Sequence, residues 1–367
     1  MRGVAVVVMV MGHSIDSVLS TAARATDWFR LYDGVRGFTA PIFLFVSGTA
    51  FTVATAKRWT AMLVPGAPLA RRVGKLLLLF VIGYALHIPF FSLTKILHEA
   101  GPDDITRFLQ VDVLHCVAAT MLGLQAIVMI ARTPARASVA TAIIAAVLVV
   151  VTPVVWSIDF APVISPVLSP YMNQTQISIF PLFPYAGFMM AGSVFGHALL
   201  RAREADRERA FFLRVTMIAL IAVVVALILD LVPVSPYPDH DFWKTSPLMF
   251  IIRLGVVMLL TTGFFFLKNL PPVVVRHLVT LGQASLLVYA VHLLVVYGSA
   301  VNSGLAQIVG HELPYYQAVA AGALVLAAMI VLVHGWNYLR TYHDGPTRLV
   351  KAGLTSTILY YFITKPW

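Results

Sequence analysis

"RGVAVVVMVMGHSID", residues 2–16, decides how the chain is read. Every residue between Arg2 and His13 is apolar, as in a helix entering a bilayer. Arg2 and His13 are 11 positions apart. At 100° per residue they differ by about 20° around a helix, so they share one face, roughly 16 Å apart along its axis. Asp16 follows at i+3, within reach of the imidazole, where a carboxylate would hold one tautomer and stabilise the protonated ring. Spacing alone leaves two readings open. Arg2 is a membrane anchor with His13 and Asp16 as interfacial polar residues, or the three mark the two ends of a reaction path.

Composition settles the class. Of 367 residues, 59% are hydrophobic and 11% charged, with a mean hydropathy of +0.87, against about 25% charged in a soluble domain. The expectation is a polytopic, all-α integral membrane helix bundle forming a single domain over residues 1–367. Apolar runs near 3–19, 38–56, 73–93, 111–131, 137–157, 178–200, 211–232, 248–267, 281–301 and 314–339 predict about ten transmembrane helices. The stretch 349–364 reads as an interfacial helix, with an eleventh span as the alternative. The first run starts at Gly3 without a small-residue cleavage pattern and is expected to be a retained span. Cys116 is the sole cysteine, which excludes an internal disulfide and any cysteine-based metal cluster.

Lys and Arg set the expected orientation. There are five in 57–75, two in 132–136, five in 201–214, two in 268–280 and four in 340–367. The intervening loops hold three in 20–37, two in 94–110 and Lys244. Cytoplasmic loops are enriched in basic residues, so both termini should be cytoplasmic, in an inner or cell membrane. The net charge of +10 is spread over these loops as an orienting signal, not gathered into a nucleic-acid groove.

Polar side chains within spans are costly and often functional. "QVDVLHC" places Asp112 and His115 at i,i+3, as a catalytic pair or as one fixing helix packing. "YMNQTQ" brings Asn173, Gln174 and Gln176 to the outer mouth of span six. In "LGQASLLVYAVH", Ser285, Tyr289 and His292 fall at i, i+4 and i+7, a polar stripe that either serves a site or bridges helices. Arg253, inside span eight, needs a counter-ion, a phosphate or water. His87, His197 and His334 are read as structural. Gly-rich phosphate loops, HExxH and GxSxG are absent from the sequence, and no metal is expected.

The opening stretch resembles membrane acyltransferases, in which an arginine and a histidine separated by ten residues begin the first span. "FTAPIFLFVSG" (38–48), "VDVLHCVAATMLGL" (111–124), "FPLFPYAGFMMAGSVFG" (180–196) and "LGQASLLVYAVH" (281–292) are similar to bacterial relatives of heparan-α-glucosaminide N-acetyltransferase. The likeness runs over roughly residues 2–300, although Met1 stands where most relatives carry an acidic residue. It implies transfer of an acetyl group from cytoplasmic acetyl-CoA to a sugar or glycan acceptor across the membrane, possible as a homodimer. By matching position, His13 would be the catalytic histidine and Arg2 would lie near the donor. Geometry and resemblance together suggest Arg2, Arg71, Arg72 and Lys75 for the nucleotide end, with the pantetheine arm along the Arg2–His13 face. Asp16 would orient His13, and Arg253, Asn173, Tyr289 or His292 would serve the substrate or the oxyanion. The rival reading is a secondary transporter or proton-coupled carrier using the His/Asp/Arg set as a relay.

Overall fold

A computed structural model describes the chain apart from residues 176, 233–235, 268–269, 300–301, 343 and 366–367. Gln176 therefore lies outside the described residues. Among these the protein is all-helical, and β pairing is limited to two isolated bridges, Leu19 with Leu313 and Ser299 with Asn302. The helices of ten or more residues are α1 (Arg2–Val18), α2 (Asp27–Arg36), α3 (Thr39–Ala56), α4 (Ala67–Leu86), α5 (Val113–Ala131), α6 (Pro134–Val150) and α7 (Leu182–Glu204). They continue with α8 (Glu208–Asp230), α9 (Pro247–Phe266), α10 (Pro272–Gln283), α11 (Ser285–Tyr297), α12 (Tyr315–Tyr342) and α13 (Asp344–Thr364). Two compact units result, one of Met1–Thr39, Ile88–Ile105 and Leu270–Trp367, the other of Ala40–His87 and Thr106–Asn269.

In the first unit α1 lies against α10, α11 and α12. Glycine permits the approach: a Cβ at Gly3 would overlap the Leu278 carbonyl, and one at Gly282 would stand 3.0 Å from the Gly3 nitrogen. Val6 and Val10 then pack with Leu281, Val288, Val296, Val325, Met329 and Val333. Lipid is as apolar as these side chains, so close packing and interhelical hydrogen bonds hold the helices together, not expulsion of water. Ser20 N–H donates to Leu313 O at 2.9 Å, which starts α12 beside the end of α1. The run read as span nine is not one straight helix. Ala284, at φ −97° and ψ 19°, separates α10 from α11, and the two are bent by 82°.

At the C-terminus, Ser92 Oγ donates to Lys365 O at 3.0 Å, and Lys365 Nζ donates to Phe90 O at 3.1 Å. Phe91 packs on Tyr361 and Phe362. Residues 90–92 and 365 therefore share a side, whereas the loop charges put loop 94–110 and the tail on opposite sides. With 21 residues, α13 is roughly 31 Å long, enough to cross hydrocarbon. By apolarity, however, α13 is not among the helices that qualify as spans among the described residues.

In the second unit, "GSVFG" (192–196) is a small-xxx-small motif that brings α7 onto α3. A Cβ at Gly192 would overlap the Phe45 carbonyl, and one at Gly48 the Met189 carbonyl. Thr49 Oγ1 donates to Gly192 O at 3.0 Å, and Thr52 Oγ1 to Ser193 O at 3.1 Å. Phe188 against Phe250 and Phe212 against Phe265 add ring contacts at 4.1 and 3.9 Å.

Among the described residues every apolar run named from sequence falls mainly on helices, but fewer meet the length and apolarity of a span. Five do so: Asp27–Ala56, α5, α8, α9 and α12, or six if α10 and α11 count as one broken span. The helices α1 and α6 stop at 17 residues, and α4 carries Arg71, Arg72 and Lys75 in its first turns. Among the described residues the structure thus shows an all-helical protein with five or six helices long and apolar enough to cross a membrane; the count of about ten is not confirmed.

Candidate active site

The first unit carries the polar face of α1. Arg2 Nη2 donates to Ser285 Oγ at 2.6 Å. Further along, His13 Nδ1 lies 2.9 Å from His292 Nε2, with the rings stacked at 5.1 Å. Ser285 and His292 are seven residues apart on α11, roughly 10 Å, against roughly 16 Å between Arg2 and His13. The long arginine side chain makes up the difference. The two polar stripes meet each other, with Val6, Val10 and Val288 between the polar pairs.

Hydrogen-bond direction follows from one fixed acceptor. His292 Nδ1 lies 2.7 Å from the Val288 carbonyl, which can only accept, so Nδ1 carries the proton. His292 is fully buried and has no carboxylate at ion-pair distance among the described residues, so an imidazolium there would be an uncompensated charge. The ring is neutral, and its Nε2 accepts. His13 Nδ1 must then donate, and the second nitrogen of a neutral His13, Nε2, is left bare. His13 is only partly buried, and its Nε2 makes no hydrogen bond among the described residues. Tyr297 and Tyr289 pack edge-on to His13 and His292 at 6.0 and 5.8 Å.

Asp16 does not hold His13, contrary to the sequence expectation. Its carboxylate is taken by Arg24 Nη1 at 2.8 Å and Arg36 Nη1 at 2.9 Å. Arg24 also donates to the Asp16 carbonyl. Neither arginine was legible as a partner, because Arg24 lies beyond the turn that follows α1 and Arg36 at the far end of α2.

The remaining candidates lie in the second unit. Asp112 is the N-cap of α5: Oδ1 accepts from the backbone N–H of Leu114 at 2.8 Å and of His115 at 3.2 Å. The His115 ring completes a capping box, its Nδ1 accepting from the Asp112 backbone N–H at 3.2 Å, and the same nitrogen stands 2.8 Å from Asp112 Oδ1. His87 Nε2, read as structural, stands 3.5 Å from Asp112 Oδ2. His115 is fully buried on Gly83, where a Cβ would come within 2.6 Å of the ring. This pair caps the start of α5, as the packing alternative expects. Tyr84 and Tyr171 share a 3.1 Å hydroxyl contact nearby, and burial raises the Tyr171 phenol above its ordinary range.

Asn173 is spent on its own loop. Its amide donates to the carbonyls of Val155 and Ile158 at 3.2 and 2.7 Å, and its oxygen accepts from Thr175. No donor remains for an oxyanion. Arg72 donates to Thr55 and Gln125 at 2.9 and 2.7 Å and covers the Phe51 ring, while Arg71 and Lys75 are exposed. Arg253 Nε is buried without a hydrogen-bond partner among the described residues.

The sequence model of the family described as heparan-alpha-glucosaminide N-acetyltransferase, catalytic, matches residues 1–223. The chain belongs to this family. No curated protein and no solved structure matches it. Membership joins the apolar helices to a coarse assignment, a membrane acetyltransferase. The part matched to the N-acetyltransferase family holds Arg2, His13 and Asp16. Ser285 and His292, which meet that face, lie beyond it. No group of His, Cys, Asp and Glu among the described residues has a metal-holding arrangement.

Proposed function

We propose that the protein moves an acetyl group from acetyl-CoA, supplied on the cytoplasmic side, to an amine or hydroxyl of a sugar or glycan on the other side. The observation that carries this is the α1 face, with Arg2 at one end and a bare His13 Nε2 at the other. In the reaction, Nε2 takes the proton of the acceptor N–H or O–H as that atom attacks the thioester carbonyl. The C–S bond breaks, and the leaving thiolate takes the proton back from His13. The alternative order forms an Nε2–acetyl bond as the C–S bond breaks and releases the thiolate; the acceptor then takes the acetyl group from Nε2, and its proton passes to the thiolate. Arg2, with Arg71, Arg72 and Lys75 as further candidates, would attract the nucleotide phosphates.

The whole chain would form one acetyltransferase domain, its amino terminus cytoplasmic and in the cell's inner membrane. Arg253 and Tyr289 remain candidate substrate groups. Family membership lends no support to the carrier reading. Purified protein in liposomes tests the two: release of CoA from acetyl-CoA, with acetylation of a hexosamine-ended glycan, supports the transferase. Glycan uptake without acetyl-CoA, and no CoA release with it, would support the carrier.

A further inference from the structure

We infer that His292 is a positioning residue: its Nε2 accepts the proton of His13 Nδ1 and so fixes His13 with Nε2 bare toward the reacting atoms. The inference rests on the reading of His13 as the catalytic base or acetyl carrier. A free neutral histidine exchanges between two tautomers, and only the Nδ1–H form presents a basic Nε2. In a histidine-centred triad a carboxylate makes that choice from the far side of the ring. Here the nearby carboxylate, Asp16, is engaged by Arg24 and Arg36, and the contact to His13 Nδ1 is His292 at 2.9 Å.

His292 can only act as an acceptor because its own proton is committed. It sits fully buried on α11, with Nδ1 at 2.7 Å from the carbonyl one turn back, Val288. The chain of bonds thus runs from a backbone carbonyl through two imidazoles to the working nitrogen. When His13 takes a proton at Nε2, the Nδ1–H bond to His292 becomes charge-assisted and shortens the reach of the new charge. Stacking at 5.1 Å with an interplanar angle of 11° holds both rings in that geometry. The partner is thereby supplied from outside residues 1–223, the part that matches the family.

The test combines three substitutions with one spectroscopic readout. His292→Gln keeps an acceptor where Nε2 stands, and His292→Phe keeps bulk without one. With the purified, full-length protein, His292→Phe should lower kcat roughly 10- to 100-fold, as loss of an orienting partner does, with KM for acetyl-CoA unchanged. His292→Gln should recover most of that loss. Nitrogen-15 spectra of wild-type protein with labelled histidine, assigned by loss of signal in His13→Gln, should show His13 protonated at Nδ1 alone. Wild-type His13 protonated at Nε2, or a His292→Phe protein at wild-type kcat, overturns the inference even if folding suffers in one variant. If His13→Gln itself turns over normally, the reading of His13 fails and not merely the role of His292.

Discussion

Arg2 Nη2 donates a 2.6 Å hydrogen bond to Ser285 Oγ at the corner where α10 bends into α11. The first side chain of α1 is thereby tied to the first of α11, with Gly3 and Gly282 in backbone contact beside it. The guanidinium is held in a fixed place at the end of the helix face that leads to His13.

If Arg2 orients the donor, Ser285→Ala should act on donor binding. Interhelical hydrogen bonds in membranes contribute about 0.6–2 kcal/mol, so KM for acetyl-CoA should rise roughly 3- to 30-fold. The kcat value should change little, and Ser285→Thr should stay near wild type. Steady-state kinetics decide this; a fall in kcat at constant KM would remove Arg2 from the donor end.

Asp16→Asn separates the ion-pair cluster from the chemistry. It leaves Arg24 and Arg36 without their shared carboxylate in a partly exposed setting. The cost should lie between that of surface and buried pairs, about 1–3 kcal/mol of stability. Per folded molecule, kcat should remain within several-fold of wild type. A loss near that of His13→Ala would mean that Asp16 does act through the imidazole.

For α5, Asp112→Ala removes a cap that accepts two backbone N–H groups, and about 1–2 kcal/mol of stability should go with it. Asp112→Asn, which keeps a capping oxygen, should restore much of the stability and leave turnover per folded molecule unchanged. Thermal denaturation followed by fluorescence, together with activity normalised to folded protein, measures both effects.

Sidedness is tested at the tail. Because Ser92 and Lys365 are hydrogen bonded, Glu99→Cys, at the exposed end of the helix that Ser92 caps, and Lys365→Cys should react with a membrane-impermeant maleimide from the same side of intact cells or sealed vesicles. The native Cys116 is buried and should stay silent. Labelling from the same side would support the eleventh-span reading of 349–364, and labelling from opposite sides the interfacial one.

The helices were legible in the sequence because a membrane demands long apolar runs, and the runs fall on helices, with 137–157 divided at Val151 and 281–301 at Ala284. The span count is not confirmed: α1 and α6 are one turn short of a full crossing, and the bend at Ala284 has no proline to mark it. On α1 the shared face of Arg2 and His13 followed from the 3.6-residue repeat alone. Their partners did not, because periodicity orders residues within one helix and says nothing of which helix lies opposite. Asp112 with His115 shows the converse limit. The i,i+3 spacing of a catalytic pair is also that of a capping box, and only the backbone N–H groups pointing at Asp112 separate the two.

The most direct measurement is acetyl transfer by purified His13→Ala protein, with folded yield, melting temperature and side-specific labelling compared with wild type. Removal of the base that takes the acceptor proton should lower CoA release from acetyl-CoA and glycan acetylation roughly 100- to 10,000-fold, while the other three readouts stay unchanged. Near-normal turnover in that variant would contradict the assignment of His13 and, with it, the mechanism built on the α1 face.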